Sequence, residues 1–139
     1  CQEMNESGFR SYCREHAPGF TLLEPLQSFE DKYIAREVTE QFLRRETDLV
    51  GFYVAGGGVI GAMEALRASG RSDHIVTIGH EMTEHRRLGI LDGVLALVLS
   101  LPIPRLSSEA VGQMLRDIQQ GTPPGKRILN FDVYGPENI

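Results

Sequence analysis

The stretch LVGFYVAGGGVIGAMEAL, residues 49–66, decides the fold. It begins with an apolar run, Val50, Phe52, Tyr53 and Val54, that reads as a buried strand. The run stops at Gly56-Gly57-Gly58. Beyond it the pattern turns helical, with Val59, Ala62, Met63 and Leu66 on one face. The reading is a β-strand, a tight glycine turn and a helix N-terminus. In an open parallel sheet this turn is where ligands meet the protein, so function is expected at the carboxyl ends of the strands.

The flanking sequence repeats that grammar. Phe9, Tyr12, Cys13 and His16 recur at helical spacing, and Pro18-Gly19 ends that helix. Residues 20–26 are strand-like. Ser28-Phe29-Glu30-Asp31 resembles a capping box, opening a helix with Ile34, Val38 and Phe42 inside. Gly70 closes the helix after the glycine turn. HIVTIG at 74–79 is the next strand, Thr83 caps a short helix reaching Leu91, and residues 95–100 form another strand. Pro102 and Pro104 break the chain before Ser107 or Ser108 caps a helix with a buried stripe of Val111, Met114, Leu115 and Ile118. A loop follows at 121–125, then a last strand at 127–134. Alternating strands and helices imply an α/β fold with a parallel sheet covered on both faces. The proline-rich joint at 101–105 is the best boundary between two packing units.

Composition narrows the function classes. The chain has 139 residues, 41% of them apolar, enough to bury the core of one domain or part of one. A net charge of −5 argues against gripping phosphate backbones, which needs clustered Lys and Arg. The two cysteines, Cys1 and Cys13, suggest neither a disulfide framework nor a CxxC metal site, and lean toward a reducing compartment. No apolar run approaches the ~20 residues needed to span a bilayer. The chain starts at Cys1 rather than Met, inside a helix pattern, and reads as a fragment of something longer.

Several motifs invite sharper readings. Gly56-x-Gly58-x-x-Gly61 matches the dinucleotide fingerprint, with Glu81 near the spacing of a ribose-binding acid. That fingerprint usually sits at the first strand of its sheet, whereas a strand–helix unit precedes it here; a plain tight turn is the simpler account. HEMTEH at 80–85 has its histidines five apart, about 500° of helical rotation, so they do not share the helix face that a zinc site needs. No metal or cofactor site is expected. Glu81, at a strand tip, is placed to accept hydrogen bonds from ligand hydroxyls or amines; capping the next helix is the plainer alternative. Phe29 is either a stacking platform for an apolar ligand face or a core residue. No nucleophile turn is present. Lys126-Arg127 is too small a basic cluster to suggest nucleic acid. EHRR at 84–87 is a solvated face or a partner surface.

Three ordered motifs, YVAGGGVIGAMEAL, VTIGHEMTEHRRLGILDG and the terminal FDVYGPENI, resemble the effector-binding region of LacI/GalR-type transcriptional repressors. Those domains are themselves similar to type I periplasmic sugar-binding proteins. The resemblance runs from Gly8-Phe9 to Ile139. It implies two Rossmann-like lobes around an effector cleft, joined by three crossovers. Residues 1–94 and 126–139 would form the C-terminal lobe, and 95–125 would return to an N-terminal lobe lying outside this sequence, as would the helix-turn-helix DNA reader. By the same resemblance Glu81 holds effector hydroxyls, and Phe29 packs on a sugar ring. Gly56 and Gly57 occupy a turn that often presents Asn or Asp, so only backbone N–H groups remain there. Ser100 stands where many members carry Gln or Asp, and Asn5 lies near the place of an effector-binding Arg.

The expected function is therefore non-enzymatic sensing of a small polar, sugar-like effector by a cytoplasmic repressor. Operator DNA would be met only through the missing head, with no membrane partner. A homodimer is expected through the helices at Val59–Ser69 and Glu84–Leu91, the first carrying Val59, Ile60 and Met63 as an apolar patch beyond the needs of one core face. A periplasmic solute-binding protein for uptake is the alternative, and a nucleotide-binding enzyme the third reading.

Overall fold

Strand β1 (Gly51–Tyr53) runs into the glycine turn and helix α3 (Val59–Ser69) leaves it, in a computed structural model that describes residues 2–121, 126 and 128–139. Gly58 takes φ +84° as it enters α3, a left-handed backbone that a residue with a Cβ adopts only at a cost. Gly70, also left-handed, closes the same helix as expected. Before β1 come α1 (Gln2–His16) and α2 (Lys32–Arg45). After α3 come β2 (Val76–His80), α4 (Glu84–Leu91), β3 (Leu97–Ser100), α5 (Ile103–Gln120) and β4 (Asp132–Tyr134).

The four strands form one sheet in the order β1-β2-β3-β4. The first three are parallel, with Tyr53 beside Ile78 and His80 beside Leu99. β4 runs antiparallel to β3, so the sheet is mixed, not wholly parallel. An antiparallel edge strand on a parallel sheet is a common variant of the α/β class. Alternation along the strands sorts the two faces. Thr77, Gly79 and Val98 point into the core, whereas Tyr53, Ile78, His80 and Leu99 share the other face. The core side packs against α3 and α4, where Val59, Met63, Leu66, Ile90, Leu95 and Val98 are almost fully buried. Each such side chain contributes about 1.5–3 kcal/mol relative to exposure. Leu43 brings α2 into the same cluster, and α2 lies tightly along α3.

Several local expectations are corrected. Residues 20–26 are irregular: their pattern suits a strand, but they join no ladder, and Phe20, Leu23 and Leu26 are exposed. A strand needs a hydrogen-bonded neighbour, and propensity alone does not supply one. The cap of α2 is Asp31, which accepts N–H bonds from Tyr33 (2.8 Å) and Ile34 (2.9 Å), rather than Ser28. Helix α5 starts at Ile103, behind Pro102, so Ser107 and Ser108 lie inside it. Pro104 fits within the first turn, where its missing N–H costs nothing. The last strand shortens to Asp132–Tyr134; Arg127 lies outside the described residues. Thr83 does cap α4, its hydroxyl oxygen accepting the Arg86 N–H at 3.4 Å. The apolar patch expected on α3 is not a surface: Val59 and Met63 are 1% and 2% exposed and belong to the core. The outward apolar residues of this region are Leu88 and Leu91 on α4.

Helix α5 has no buried residue. Val111, Met114, Leu115 and Ile118, expected as a buried stripe, are all more than half exposed. The helical period is there, but nothing in the described residues covers it. Leu115→Glu in this chain should therefore shift stability by no more than about 0.5 kcal/mol. A thermal melt checks this, and a loss of several degrees would mean that α5 is packed in solution. Among the described residues no helix is long and apolar enough to cross a membrane.

Candidate functional site

β2 ends at His80, and the next residue turns sharply. Glu81 takes φ +63°, left-handed for a residue with a Cβ, and its side chain is exposed. The turn is pinned from β3. Glu81 N–H donates to the Leu99 carbonyl at 2.7 Å, and Met82 N–H donates to Ser100 Oγ at 3.1 Å. Ser100 thus holds the loop that carries Glu81, and its own hydroxyl hydrogen is left to donate. Strain of this kind persists only where its surroundings over-determine it, and such sites cluster at ligand contacts. Together Glu81 and Ser100 put an acceptor and a donor on adjacent strand ends, the combination that reads hydroxyl groups.

The glycine turn forms the neighbouring part. Asn5 of α1 donates from Nδ2 to the Ala55 carbonyl at 3.4 Å. Gln2, one turn earlier, hydrogen-bonds Glu30. These side chains lie so close to the turn that a Cβ on Gly56 would overlap Gln2, and one on Gly57 would meet Glu30 Cβ at 2.8 Å. The loop supplying Glu30 is itself left-handed at Phe29 (φ +49°) and Glu30 (φ +61°), and it leaves the Phe29 ring 76% exposed. The Glu30 side chain packs its Cβ and Cγ on Gly57, where a pyrophosphate would have to approach, so the dinucleotide reading of the glycines gains no support from this geometry.

Beneath the strand ends sits a pair that the sequence reading did not single out. Tyr53 Oη and His80 Nε2 are 2.7 Å apart, a hydrogen bond whose direction follows the imidazole tautomer. The Phe9 ring of α1 stacks on Tyr53 at 4.8 Å. Burial pushes the Tyr53 phenol up and the His80 imidazole down; Glu81 pulls the histidine up and Arg86 pushes it down, both more weakly than burial. With its folded-state pKa below the unfolded value of about 6.5, His80 supplies stability above that pH. That stability is lost as pH falls through the folded-state pKa. Melting curves from pH 7 to pH 5 should therefore decline less steeply for His80→Gln than for the wild type. Parallel curves would show that His80 titrates normally.

All six residues expected at the site lie at the carboxyl end of the sheet or on segments packed against it. Glu81 and Ser100 are joined through the 81–82 backbone, while Asn5, Gly56, Gly57 and the Phe29 loop gather around the glycine turn. The missed residues are Tyr53, His80, Arg86, Gln2 and Glu30. Period-2 alternation could have put Tyr53 and His80 on one face, since paired parallel strands keep their faces in register. Gln2 and Glu30 carry no such signal, because they meet the turn only through tertiary packing. Among the described residues no three His, Cys, Asp or Glu side chains gather to hold a metal ion.

Known proteins share this fold. An ABC transporter solute-binding protein from Agrobacterium vitis, with bound alpha-D-tagatopyranose, superposes with a TM-score of 0.85 at 20% identity, over 98% of this chain and 46% of that one. Another from the same organism, with bound D-fucose, gives 0.78 at 20% identity over 95% and 46%. A sugar-binding protein of a sugar ABC transporter from Bacillus halodurans gives 0.82 at 19% identity over 94% and 49%. At these identities the likeness is one of fold, and the chain spans just under half the length of each relative. No curated protein matches the chain in sequence. The sequence profile of the periplasmic binding protein domain matches residues 2–123. The α/β sheet and that match over most of the chain lead to one assignment: the chain belongs to the periplasmic binding protein domain family.

Proposed function

We propose that this chain is one lobe of a non-enzymatic saccharide-binding protein, of the kind that captures solutes. The observation that carries the reading is the strained, pinned Glu81 beside Ser100 at the carboxyl ends of β2 and β3. A carboxylate and a hydroxyl on adjacent strand ends suit a polyhydroxylated ligand, and Phe29 offers an exposed ring for its apolar face. The sugars held by the Agrobacterium vitis relatives support this class. The expected break at residue 95 gives way to β3, which lies inside this lobe's sheet. Only the segment after β3 would join this lobe to a second one that closes the cleft, with the uncovered face of α5 packed in that second lobe. Calorimetric titration of the full-length protein with D-fucose, D-tagatose, D-galactose and D-glucose tests the reading. Micromolar binding of one of them is expected; no heat at millimolar sugar would count against it.

The repressor reading remains the second, because the motif order ending in FDVYGPENI favours it. There the same ligand would shift the balance between two lobe arrangements and so the spacing of DNA-binding heads in a cytoplasmic homodimer. The two readings share the site and differ in what precedes Cys1. A helix-turn-helix segment encoded upstream decides for the repressor, and a secretion signal decides for uptake.

A further inference from the structure

Arg86, in the first turn of α4, is the one arginine whose guanidinium is half-buried yet left without an adequate acceptor among the described residues. Its Nε is fully buried with no hydrogen-bond partner. Its Nη1 reaches only the Thr83 hydroxyl, at 3.4 Å. No carboxylate lies within ion-pair distance of it among the described residues, although Arg10, Arg36, Arg45, Arg67, Arg87 and Arg116 each have one. Arg71 shows how this fold satisfies a partly buried guanidinium: it donates to the carbonyls of Leu43, Glu46, Thr47 and Leu49. Burial lowers the Arg86 pKa, and Glu81 offsets only part of that effect. An orphaned buried donor and an under-compensated positive charge thus stand behind the residue that heads the candidate site.

We infer that Arg86 is a specificity-determining residue, and that the saccharide taken by this site carries an anionic group, a carboxylate or a phosphate, which the Arg86 fork meets while Glu81 and Ser100 hold hydroxyls. The chemistry follows from the planar guanidinium, whose paired N–H groups match the oxygens of such an anion. Turning the fork toward an oxyanion gives the orphaned Nε its acceptor and supplies the counter-charge that Glu81 provides only in part. This inference rests on the saccharide reading above and narrows it from neutral sugars to sugar acids or sugar phosphates.

Titration of the full-length protein with matched probes tests it: D-galactose against D-galacturonate, and D-glucose against D-glucuronate and D-glucose 6-phosphate. An anionic member is expected to bind at least tenfold tighter than its neutral partner. The glucuronate and phosphate arms tell which anion is preferred. Arg86→Gln should remove that preference, while Arg86→Lys, keeping the charge without the fork, should fall between. Melting curves confirm that the variants are folded; should Arg86→Gln fail to fold, Arg86→Lys alone decides by narrowing the preference or leaving it unchanged. Neutral sugars binding as tightly as anionic ones, or an anionic preference that survives Arg86→Gln, would overturn the inference and leave the saccharide reading standing. Failure of every probe, charged and neutral, overturns both.

Discussion

Glu81→Ala is expected to weaken binding of the saccharide ligand by roughly ten- to a hundredfold, with folding intact. The carboxylate is exposed at the end of β2, and the core does not use it. Its backbone is held at φ +63° by the Leu99 carbonyl and the Ser100 hydroxyl, at neighbouring positions of β3. A charge-assisted hydrogen bond inside a closed cleft contributes about 1.5–3 kcal/mol, and each 1.4 kcal/mol is roughly a factor of ten in affinity. The left-handed backbone adds a second, opposite expectation. A residue with a Cβ pays about 1–2 kcal/mol for that conformation, so Glu81→Gly should raise the melting temperature while losing affinity as Glu81→Ala does. Stability gained at the expense of binding is the mark of strain kept for function. Calorimetry and thermal melts on the two variants read both effects. Undiminished binding by Glu81→Ala would reduce the carboxylate to a solvated loop residue and move the site elsewhere.

The largest expected effect on stability is at Gly61. This glycine lies in α3 where that helix meets α2 most closely. A Cβ there would overlap the Lys32 carbonyl oxygen and would come within 2.8 Å of the Arg36 backbone nitrogen. Both are backbone atoms of α2, which cannot swing aside as a side chain can. Gly61→Ala gains up to about 1 kcal/mol of helix propensity. Overpacking costs about 1–3 kcal/mol and more where backbone must move. With backbone in the way the cost lies at or above the top of that range, so the net loss should be about 2 kcal/mol or more, seen as a melting temperature lower by roughly 10 °C. Gly89→Ala is the informative comparison. Its new Cβ would press on the terminal methyl of Met63, a flexible group, and on Leu95. Methionine adapts to such intrusions, so the loss should be smaller. Equal losses at the two positions would mean that α2 and α3 can separate without penalty.

How much of this was legible beforehand depended on whether the cause was local. The glycine turn, the αL cap at Gly70 and the Thr83 cap follow from nearest-neighbour chemistry, and each stands where the sequence puts it. Residues 20–26 fail for the complementary reason: alternation suits a strand, but only a partner makes one. β4 was legible as a strand but not in its direction, because pairing sense depends on how the chain returns rather than on side-chain pattern. The α5 stripe shows the same limit. Its period of 3.6 is correct, yet a period names a face without naming what covers it.

The candidate site divides along the same line. That ligands should meet the carboxyl ends of β1, β2 and β3, and that Glu81 heads that edge, followed from strand order and the glycine turn, which are properties of the sequence. The Tyr53–His80 hydrogen bond, the enclosure of Gly56 and Gly57 by Gln2 and Glu30, and the orphaned guanidinium of Arg86 arise between residues that neither period nor motif connects. They were decided only by tertiary structure, because hydrogen bonding, burial and charge compensation depend on distances that exist only once helices and strands have packed.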